Sequence, residues 1–218
     1  MTLRSLLSAA ALLAALTLST VARAETATDT VKAANTTLRD AIKKMVAAKG
    51  GAYDKARADA RKAVGDLIDF DQVAQATLGK HWAELKPAER TRYIEAVRGA
   101  MEASYLTKMQ GKLAVDDVKV EYLGEEPKGE NTLVKTRFTY GQDALNLGFV
   151  IAKGAKGKKA HAVDVFTEDV SLVDSYKDQI NSLWAKKKFE GVVGAFEKKK
   201  KQLEAQLKEQ TEKPAEQK

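Results

Sequence analysis

The fold is decided by residues 118–151, which have the sequence VKVEYLGEEPKGENTLVKTRFTYGQDALNLGFVI. Apolar and polar side chains alternate there with a period of two, and turn residues at 127–129 and 141–143 separate three runs. This alternation predicts β-strands with one buried face, and the short turns predict antiparallel pairing of consecutive strands. A fourth strand is expected at 160–167, after the lysine-rich loop 154–159.

The sequence on both sides of these strands has the periodicity of helices. Apolar side chains recur every three or four positions, which is typical of amphipathic α-helices. Such helices are predicted at 27–49, 53–64, 69–79, from Pro87 through Met109, at 175–187 and from Gly191. Because the apolar face of the sheet needs a cover, the fold class is α+β, with helices packed on one face of a twisted four-stranded antiparallel sheet.

The first 24 residues have the organisation of a secretory signal peptide. Arg4 precedes an apolar run at 6–18, and Ala22-Arg23-Ala24 places small residues where a signal peptidase cleaves. The run is shorter than the roughly 20 residues of a spanning helix. We therefore expect cleavage after Ala24, so that residues 1–24 are lost and the protein is exported and soluble.

The remaining chain is expected to form one domain with a charged end. Residues 25–196 have the apolar content of a single domain. Residues 197–218 hold seven Lys and five Glu, with Leu203 and Leu207 as their only large apolar side chains. This composition predicts a charged C-terminal extension, either helical or disordered.

The composition also argues against several classes of function. The absence of Cys excludes disulfides and thiol nucleophiles, and two His leave almost no histidine metal site. No Gly-x-Ser-x-Gly motif is present. We expect no catalytic residue, no metal site and no cofactor, with His81 and His161 at the surface.

The net charge of the chain says less about its function than the residue composition does. The formal charge of +7 falls to +5 without Arg4 and Arg23, which is a small excess for a nucleic-acid-binding protein, and an exported chain does not meet nucleic acid. We therefore expect no nucleic-acid partner. Basic patches could instead contact acidic protein surfaces or anionic headgroups, or serve solubility alone.

The helices offer more apolar surface than one sheet face requires. At least four helices have an apolar stripe, while the sheet has one buried face. These stripes either pack together in a dry core or leave an apolar pocket between sheet and helices. Composition does not distinguish the two arrangements.

Two blocks of sequence resemble a known family. The first is DFDQVAQATLGKHW at 69–82, followed by PAER at 87–90 and then by Tyr93 and Tyr105. The second is VDVFTEDVSL at 163–172, followed by YKDQI and FEGVV. Together they resemble the MlaC, or toluene-tolerance auxiliary, family over roughly Val31 to Lys198. Asp169 stands where the family usually has Gly, Lys177 where it has Arg, and Ala160 where an aromatic residue is common.

The resemblance implies a periplasmic carrier, not an enzyme. Members of the family hold the two acyl chains of a phospholipid between the sheet and the helices. They pass lipid transiently between an outer-membrane lipoprotein complex and an inner-membrane ABC transporter complex, which maintains outer-membrane lipid asymmetry. On this basis residues 25–196 are expected to be a single lipid-binding domain, working as a monomer in the periplasm of a Gram-negative cell.

The expected ligand-binding residues are the inward apolar side chains of the predicted helices and strands. Each is as well explained by a plain core position, because both roles need an apolar inward side chain. They are Val97, Met101, Tyr105, Val120, Phe138, Leu147, Phe149, Val163, Val165, Val170, Leu172, Tyr176 and Ile180.

Two other functions are compatible with the residues. One is a carrier of a different apolar cargo, such as a hopanoid, an isoprenoid or a hydrophobic solvent. The other is a periplasmic adaptor with a dry core, which would bind partners through the basic tip at 156–159 or through the C-terminal extension.

Overall fold

The computed structural model describes residues 26–48, 50–110, 118–154 and 159–212. The predicted signal peptide at 1–24, most of the lysine-rich loop and the end of the C-terminal extension lie outside these ranges. The helices are α1 Ala27–Ala47, α2 Gly51–Leu67, α3 Phe70–Leu78, α4 Pro87–Gln110 and α5 Leu172–Glu212, with a short 3₁₀ helix at Gly79–Glu84. The strands are β1 Lys119–Lys128, β2 Asn131–Tyr140, β3 Asp143–Ala152, β4 His161–Thr167 and β5 Val170–Ser171.

Side-chain caps fix where the first and third helices begin. The Thr26 hydroxyl accepts a hydrogen bond from the Asp29 backbone N–H at 3.0 Å, and the Asp29 carboxylate accepts one from the Thr26 N–H. This reciprocal pair is a capping box and satisfies two N–H groups that the helix leaves unpaired. At α3 the Asp69 carboxylate accepts a hydrogen bond from the Gln72 N–H at 3.0 Å.

The strands form one antiparallel sheet in the order β1-β2-β3-β4-β5. The predicted class, helices against one antiparallel sheet, is confirmed, but the sheet has five strands and not four. The fifth contains only Val170 and Ser171, which pair with Thr167 and Phe166. Two residues are too few for an alternating pattern, so periodicity could not reveal this strand.

The strand register places most of the apolar side chains on one face. Val134 lies opposite Phe149, which lies opposite Val165 on β4. Helix α1 packs on β1 and β2, while α2 and α3 pack on β4, so this inner face is the one that the helices cover.

The long helix α5 is broken at Lys188, whose φ and ψ of 52° and −157° are not helical. In an unbroken helix Tyr176 and Phe196 would lie about 30 Å apart. Their ring centroids are 5.5 Å apart, so the chain turns back at Lys188. We call residues 172–187 the first half of α5 and residues 189–212 the second half.

The second half of α5 completes the helical core. Phe196 packs edge-on against Tyr93 of α4, with 6.0 Å between ring centroids. Val192 and Val193 are fully buried beside it. Further along, Leu203 and Leu207 are buried as well, and Leu207 belongs to a cluster with residues of α1, α2 and α4.

His81 lies in the interior, which corrects the expectation that it is at the surface. Its ring stacks on Trp184 with 4.4 Å between centroids and 18° between planes. Its Nδ1 lies 2.7 Å from Glu84 Oε1, and the residue is 9% exposed. The stack joins the 3₁₀ helix to the first half of α5, so Trp184 is a core residue.

The turn at Lys188 generates a prediction for Gly191. A Cβ at this position would lie 2.1 Å from Lys187 Cβ, so alanine cannot be accommodated without moving the backbone of the turn. We expect Gly191→Ala to lower the free energy of unfolding by about 1–3 kcal/mol, measured by urea denaturation with tryptophan fluorescence.

Gly194→Ala is the matched control. A Cβ at Gly194 meets no atom within 4 Å, and alanine favours helix by up to about 1 kcal/mol. This variant should be neutral or slightly stabilising. Equal effects at the two glycines would contradict the close approach of Gly191 to Lys187.

The buried Tyr93 generates a prediction for alkaline pH. The Thr77 hydroxyl donates to the Ala74 carbonyl, so its 2.9 Å hydrogen bond with Tyr93 has the tyrosine as donor. Burial raises the pKa of Tyr93 above its ordinary value of 10.0. The unfolded chain therefore loses this proton first, and the contribution of Tyr93 to stability falls as pH rises above about 10.

Tyr93→Phe should remove this pH dependence. Above pH 10 the free energy of unfolding should fall less steeply with pH for the variant than for wild type. The two slopes should differ by about 1.4 kcal/mol per pH unit. Urea denaturation at a series of pH values measures the two slopes. At pH 7 the variant should differ only by the lost hydrogen bond, about 1 kcal/mol. Parallel curves above pH 10 would show that Tyr93 is not the group responsible.

Candidate functional site

The inner face of the sheet is covered unevenly. At one end, Val134, Phe149 and Ile151 are buried beneath Val31 of α1 and Leu67 of α2. At the other end the apolar side chains are only partly buried or are exposed. These are Tyr122, Phe138, Leu147 and Val165, together with Leu145, which is 41% exposed; we call them the open face. Apolar surface that a domain leaves uncovered is a candidate contact for a ligand or partner.

A cleft of about 480 Å³ lies between the two halves of α5 and the end of the sheet. Ligand pockets are typically about 300–1,000 Å³, so its size is that of a binding site. Its apolar lining residues are Val170, Leu172, Tyr176, Ile180, Leu183, Val192, Ala195 and Phe196, and its polar ones are Thr167, Ser175, Gln179 and Lys199.

The lining residues form one stripe on each half of α5. In the second half, Val192, Ala195, Phe196 and Lys199 have the i, i+3, i+4, i+7 spacing of a single helix face. In the first half, the stripe begins at Leu172 and continues with the same spacing. The reversal of the chain at Lys188 turns these two stripes toward each other, which creates the cleft.

The cleft adjoins the open face of the sheet. Thr167 lines the cleft and lies opposite Leu147 in the pairing of β3 with β4. Val165, two positions earlier on β4, belongs to the open face. The two apolar surfaces therefore meet along β4.

The predicted ligand-binding residues fall into three groups. Val170, Leu172, Tyr176 and Ile180 line the cleft. Phe138, Leu147, Phe149 and Val165 belong to the core between the sheet and α1–α2. Val97, Met101 and Tyr105 belong to the helical core, which also contains residues of α3 and α5. Val120 and Val163 are half-buried, and Val163 lies in a bulge between the paired residues Ala162 and Asp164.

The structure thus does not bring the α4 residues and the sheet residues into one pocket wall. Ile68 contacts both the helical core and the sheet core, and so stands between them. An apolar helical stripe such as that of α4 shows which side chains are buried, but not which element buries them.

The sequence analysis missed eight of the twelve cleft residues, namely Thr167 of β4 and seven residues of α5: Ser175, Gln179, Leu183, Val192, Ala195, Phe196 and Lys199. For the residues of α5, the signal was present in their helical spacing. The sequence predicted a helix break between Lys187 and Gly191, but spacing alone does not show that the chain reverses there and brings the two stripes together.

A hydrogen-bond network holds the start of α5 against β4. The Asp164 carboxylate accepts hydrogen bonds from Ser171 Oγ at 2.6 Å and from the Val173 N–H at 3.0 Å. Ser171 Oγ in turn accepts one from the Asp174 N–H, which caps the helix. The Asp164 and Ser171 positions of the second sequence block therefore set the angle at which the first half of α5 leaves the sheet.

Burial and charge differ along the cleft. Tyr176 is half-buried within it, and this burial raises the pKa of its hydroxyl. Among the described residues that line the cleft, Lys199 alone carries a charge at neutral pH. The environment is therefore apolar along the wall and basic at one position.

A second cavity, of about 410 Å³, lies between α2 and α4 and is polar. Its cations are already paired: Arg61 with Glu102 at 2.8 Å, and Lys62 with Asp66 at 2.6 Å. Arg98, the third cation, lies 3.8 Å from an oxygen of Asp71. This cavity has the character of a solvated surface groove.

Two further features are absent from the described part of the chain. Within it, no group of three or more His, Asp or Glu side chains is placed to hold a metal ion. No helix there is both long and apolar enough to cross a membrane.

Comparison with known proteins assigns the chain to a family. The family model described as MlaC protein matches residues 32–198, so this chain belongs to the MlaC family. No curated protein matches the sequence. Among solved structures, the fold is similar to that of a phospholipid-binding protein from Ralstonia solanacearum, determined in complex with a phospholipid. The TM-score is 0.66 at 16% identity, over 80% of this chain and 97% of that one.

The rim of the cleft generates a prediction at Asp169. Glu168 and Asp169 form the two-residue turn between β4 and β5, with φ of 48° and 66°. Turns of this kind favour glycine, because positive φ is costly for other residues. We expect Asp169→Gly to raise the free energy of unfolding by about 0.5 kcal/mol, the relief of strain being partly offset by the greater entropy of glycine in the unfolded chain.

Asp169→Ala is the matched variant, since alanine tolerates positive φ less well than aspartate. Thermal unfolding should rank the three proteins as Gly, then Asp, then Ala in decreasing stability. The reverse order would show that the aspartate side chain stabilises the turn.

Proposed function

We propose that this protein binds phospholipid and carries it through the periplasm between an outer-membrane lipoprotein complex and an inner-membrane ABC transporter complex. In this role it helps to maintain outer-membrane lipid asymmetry and catalyses no reaction. The observation that carries the proposal is membership of the MlaC family over residues 32–198. The Ralstonia protein of similar fold, which binds phospholipid, supports it.

The apolar surfaces of this chain support the same function. The cleft and the open face meet along β4, so an acyl chain that extends beyond the cleft would meet further apolar surface on the sheet. Each methylene removed from water contributes about 0.8 kcal/mol, so apolar contact alone binds acyl chains strongly. Such contact depends on shape more than on hydrogen bonding, which suits a carrier that must also release its ligand.

The N-terminal sequence supports a periplasmic location. Residues 1–24 have the pattern of a cleavable signal peptide, and the chain lacks the cysteine that a lipid anchor would need. A carrier between two membranes must leave the cytoplasm and must not be anchored to either of them. We therefore place the mature protein, as a monomer, in the periplasm.

Native mass spectrometry tests the proposal directly. The protein is purified from periplasm without detergent, and bound lipid is then extracted and identified. We expect a mass excess that corresponds to phospholipid. A mass excess from a hopanoid or isoprenoid would assign another cargo. An apo mass that persists after incubation with phospholipid vesicles would favour an adaptor with a dry core.

A cleft-filling variant tests where the ligand lies. Ala195 is exposed on the second half of α5 and lines the cleft, so Ala195→Trp should fill the cleft without disturbing the core. We expect it to lower co-purified phospholipid several-fold and to leave the melting temperature within a few degrees of wild type. Native mass spectrometry and thermal unfolding measure the two effects.

Ala205→Trp is the matched control on the same helix. Ala205 is also exposed but is not among the cleft residues, so lipid content should not change. Val165→Trp, on the open face, separates the two apolar surfaces. If only the Val165 variant loses lipid, the ligand lies on the sheet and not between the halves of α5.

A further inference from the structure

We propose that Lys199 favours anionic phospholipids because its ammonium group lies beside the headgroup at the end of the cleft, where it attracts a headgroup with net negative charge more strongly than a zwitterionic one. This inference rests on the proposed function, and it adds a specificity-determining residue to it. The ligand class is a diacyl phospholipid with net negative charge, such as phosphatidylglycerol, in preference to a zwitterionic one.

The position of Lys199 follows from the second half of α5. It is the last member of the stripe that begins at Val192, Ala195 and Phe196, so it points to the same side as the apolar wall. Because the chain reverses at Lys188, Lys199 lies at the end of the cleft that is remote from this turn. Leu172, the first residue of α5, lies at that end as well.

The surroundings of Lys199 suit an amphipathic ligand. Apolar side chains line most of the cleft, while Thr167, Ser175 and Gln179 add hydroxyl and amide groups but no carboxylate. An acyl chain along the apolar wall would therefore bring its polar end toward a cation and neutral hydrogen-bonding groups. Ammonium groups of lysine are common partners of phosphate.

Lys199 is also available for such a contact. It belongs to none of the ion pairs formed among the residues that the structure describes, and it is exposed. Its neighbours differ: the side chain of Lys200 lies across Gly99 of α4, while Lys198 and Lys201 are exposed and outside the cleft. Of four consecutive lysines, one therefore faces the ligand site.

The position lies just beyond the matched family region, which ends at residue 198. Lys199 itself stands on the second half of α5. The same helix is anchored beyond the site by the buried side chains of Leu203 and Leu207.

A competition experiment tests the proposal. The full-length protein is exported, purified, delipidated and incubated with vesicles that contain equal amounts of phosphatidylglycerol and phosphatidylethanolamine with identical acyl chains. Native mass spectrometry then gives the ratio of the two lipids bound. We expect wild type to favour phosphatidylglycerol and Lys199→Gln to reduce that ratio about two- to fivefold, the range for an exposed ion pair.

Three control variants and a change of salt concentration separate charge pairing from structure. Lys199→Arg should keep the preference, and Lys198→Gln and Lys201→Gln should leave it unchanged. The wild-type preference should also weaken at about 1 M salt, where the screening length falls to about 3 Å.

Other results would overturn the proposal in distinguishable ways. Lipid binding with the same ratio in wild type and Lys199→Gln would reject the role of Lys199 and leave the carrier function intact. No bound lipid in wild type would reject the carrier function itself. If glycerol 3-phosphate in solution abolished the preference at equimolar concentration, the site would recognise free phosphate and not a lipid headgroup.

Discussion

The reversal of the chain at Lys188 is the constraint on which the helical half of the molecule depends. It brings Phe196 into contact with Tyr176 and with Tyr93 of α4, and these aromatic contacts anchor the second half of α5. Without the reversal, the apolar stripe of that half would face water, and α4 would lose part of its cover. The turn needs a residue with positive φ at Lys188 and a glycine at 191, where the backbone passes too close to Lys187 for any side chain. The same local geometry that completes the core therefore places two apolar stripes face to face and creates the cleft.

The uneven cover of the sheet follows from how the helices are divided between two cores. Helices α1 and α2 cover one end of the inner face, whereas α4 packs mainly with α5 and α3. A domain that leaves Phe138, Leu147 and Val165 only partly buried gives up hydrophobic stabilisation that a closed core would have gained. In the proposed function, a ligand with acyl chains would restore that burial. The open face and the cleft would then act as one apolar surface that the ligand completes.

Much of the fold could be predicted because its signals are local. Alternation from Val118 to Ile151 identified three strands and their pairing. The missed features depend on contacts that are distant in sequence or on elements too short for periodicity. His81 is buried only because Trp184 lies on it. The sequence predicted a helix break between Lys187 and Gly191, but the reversal of the chain there depends on the distant contact of Phe196 with Tyr93. For the site, the second sequence block led to the four predicted residues that line the cleft, whereas the stripe of α4 gave no information on its packing partner.

In the proposed carrier, affinity and selectivity would arise from different parts of the same helix face. Along the second half of α5, Val192, Ala195 and Phe196 offer apolar contact whose strength grows with each methylene buried. One turn later the same face ends in Lys199, an exposed cation whose pairing energy is small and screened by salt. Any diacyl lipid would gain the larger, apolar contribution through its acyl chains. The smaller, ionic contribution would depend on its headgroup. Such a division lets a carrier accept lipids of varied chain composition, favour one class of headgroup by a few-fold, and still release its ligand when a partner competes for the chains.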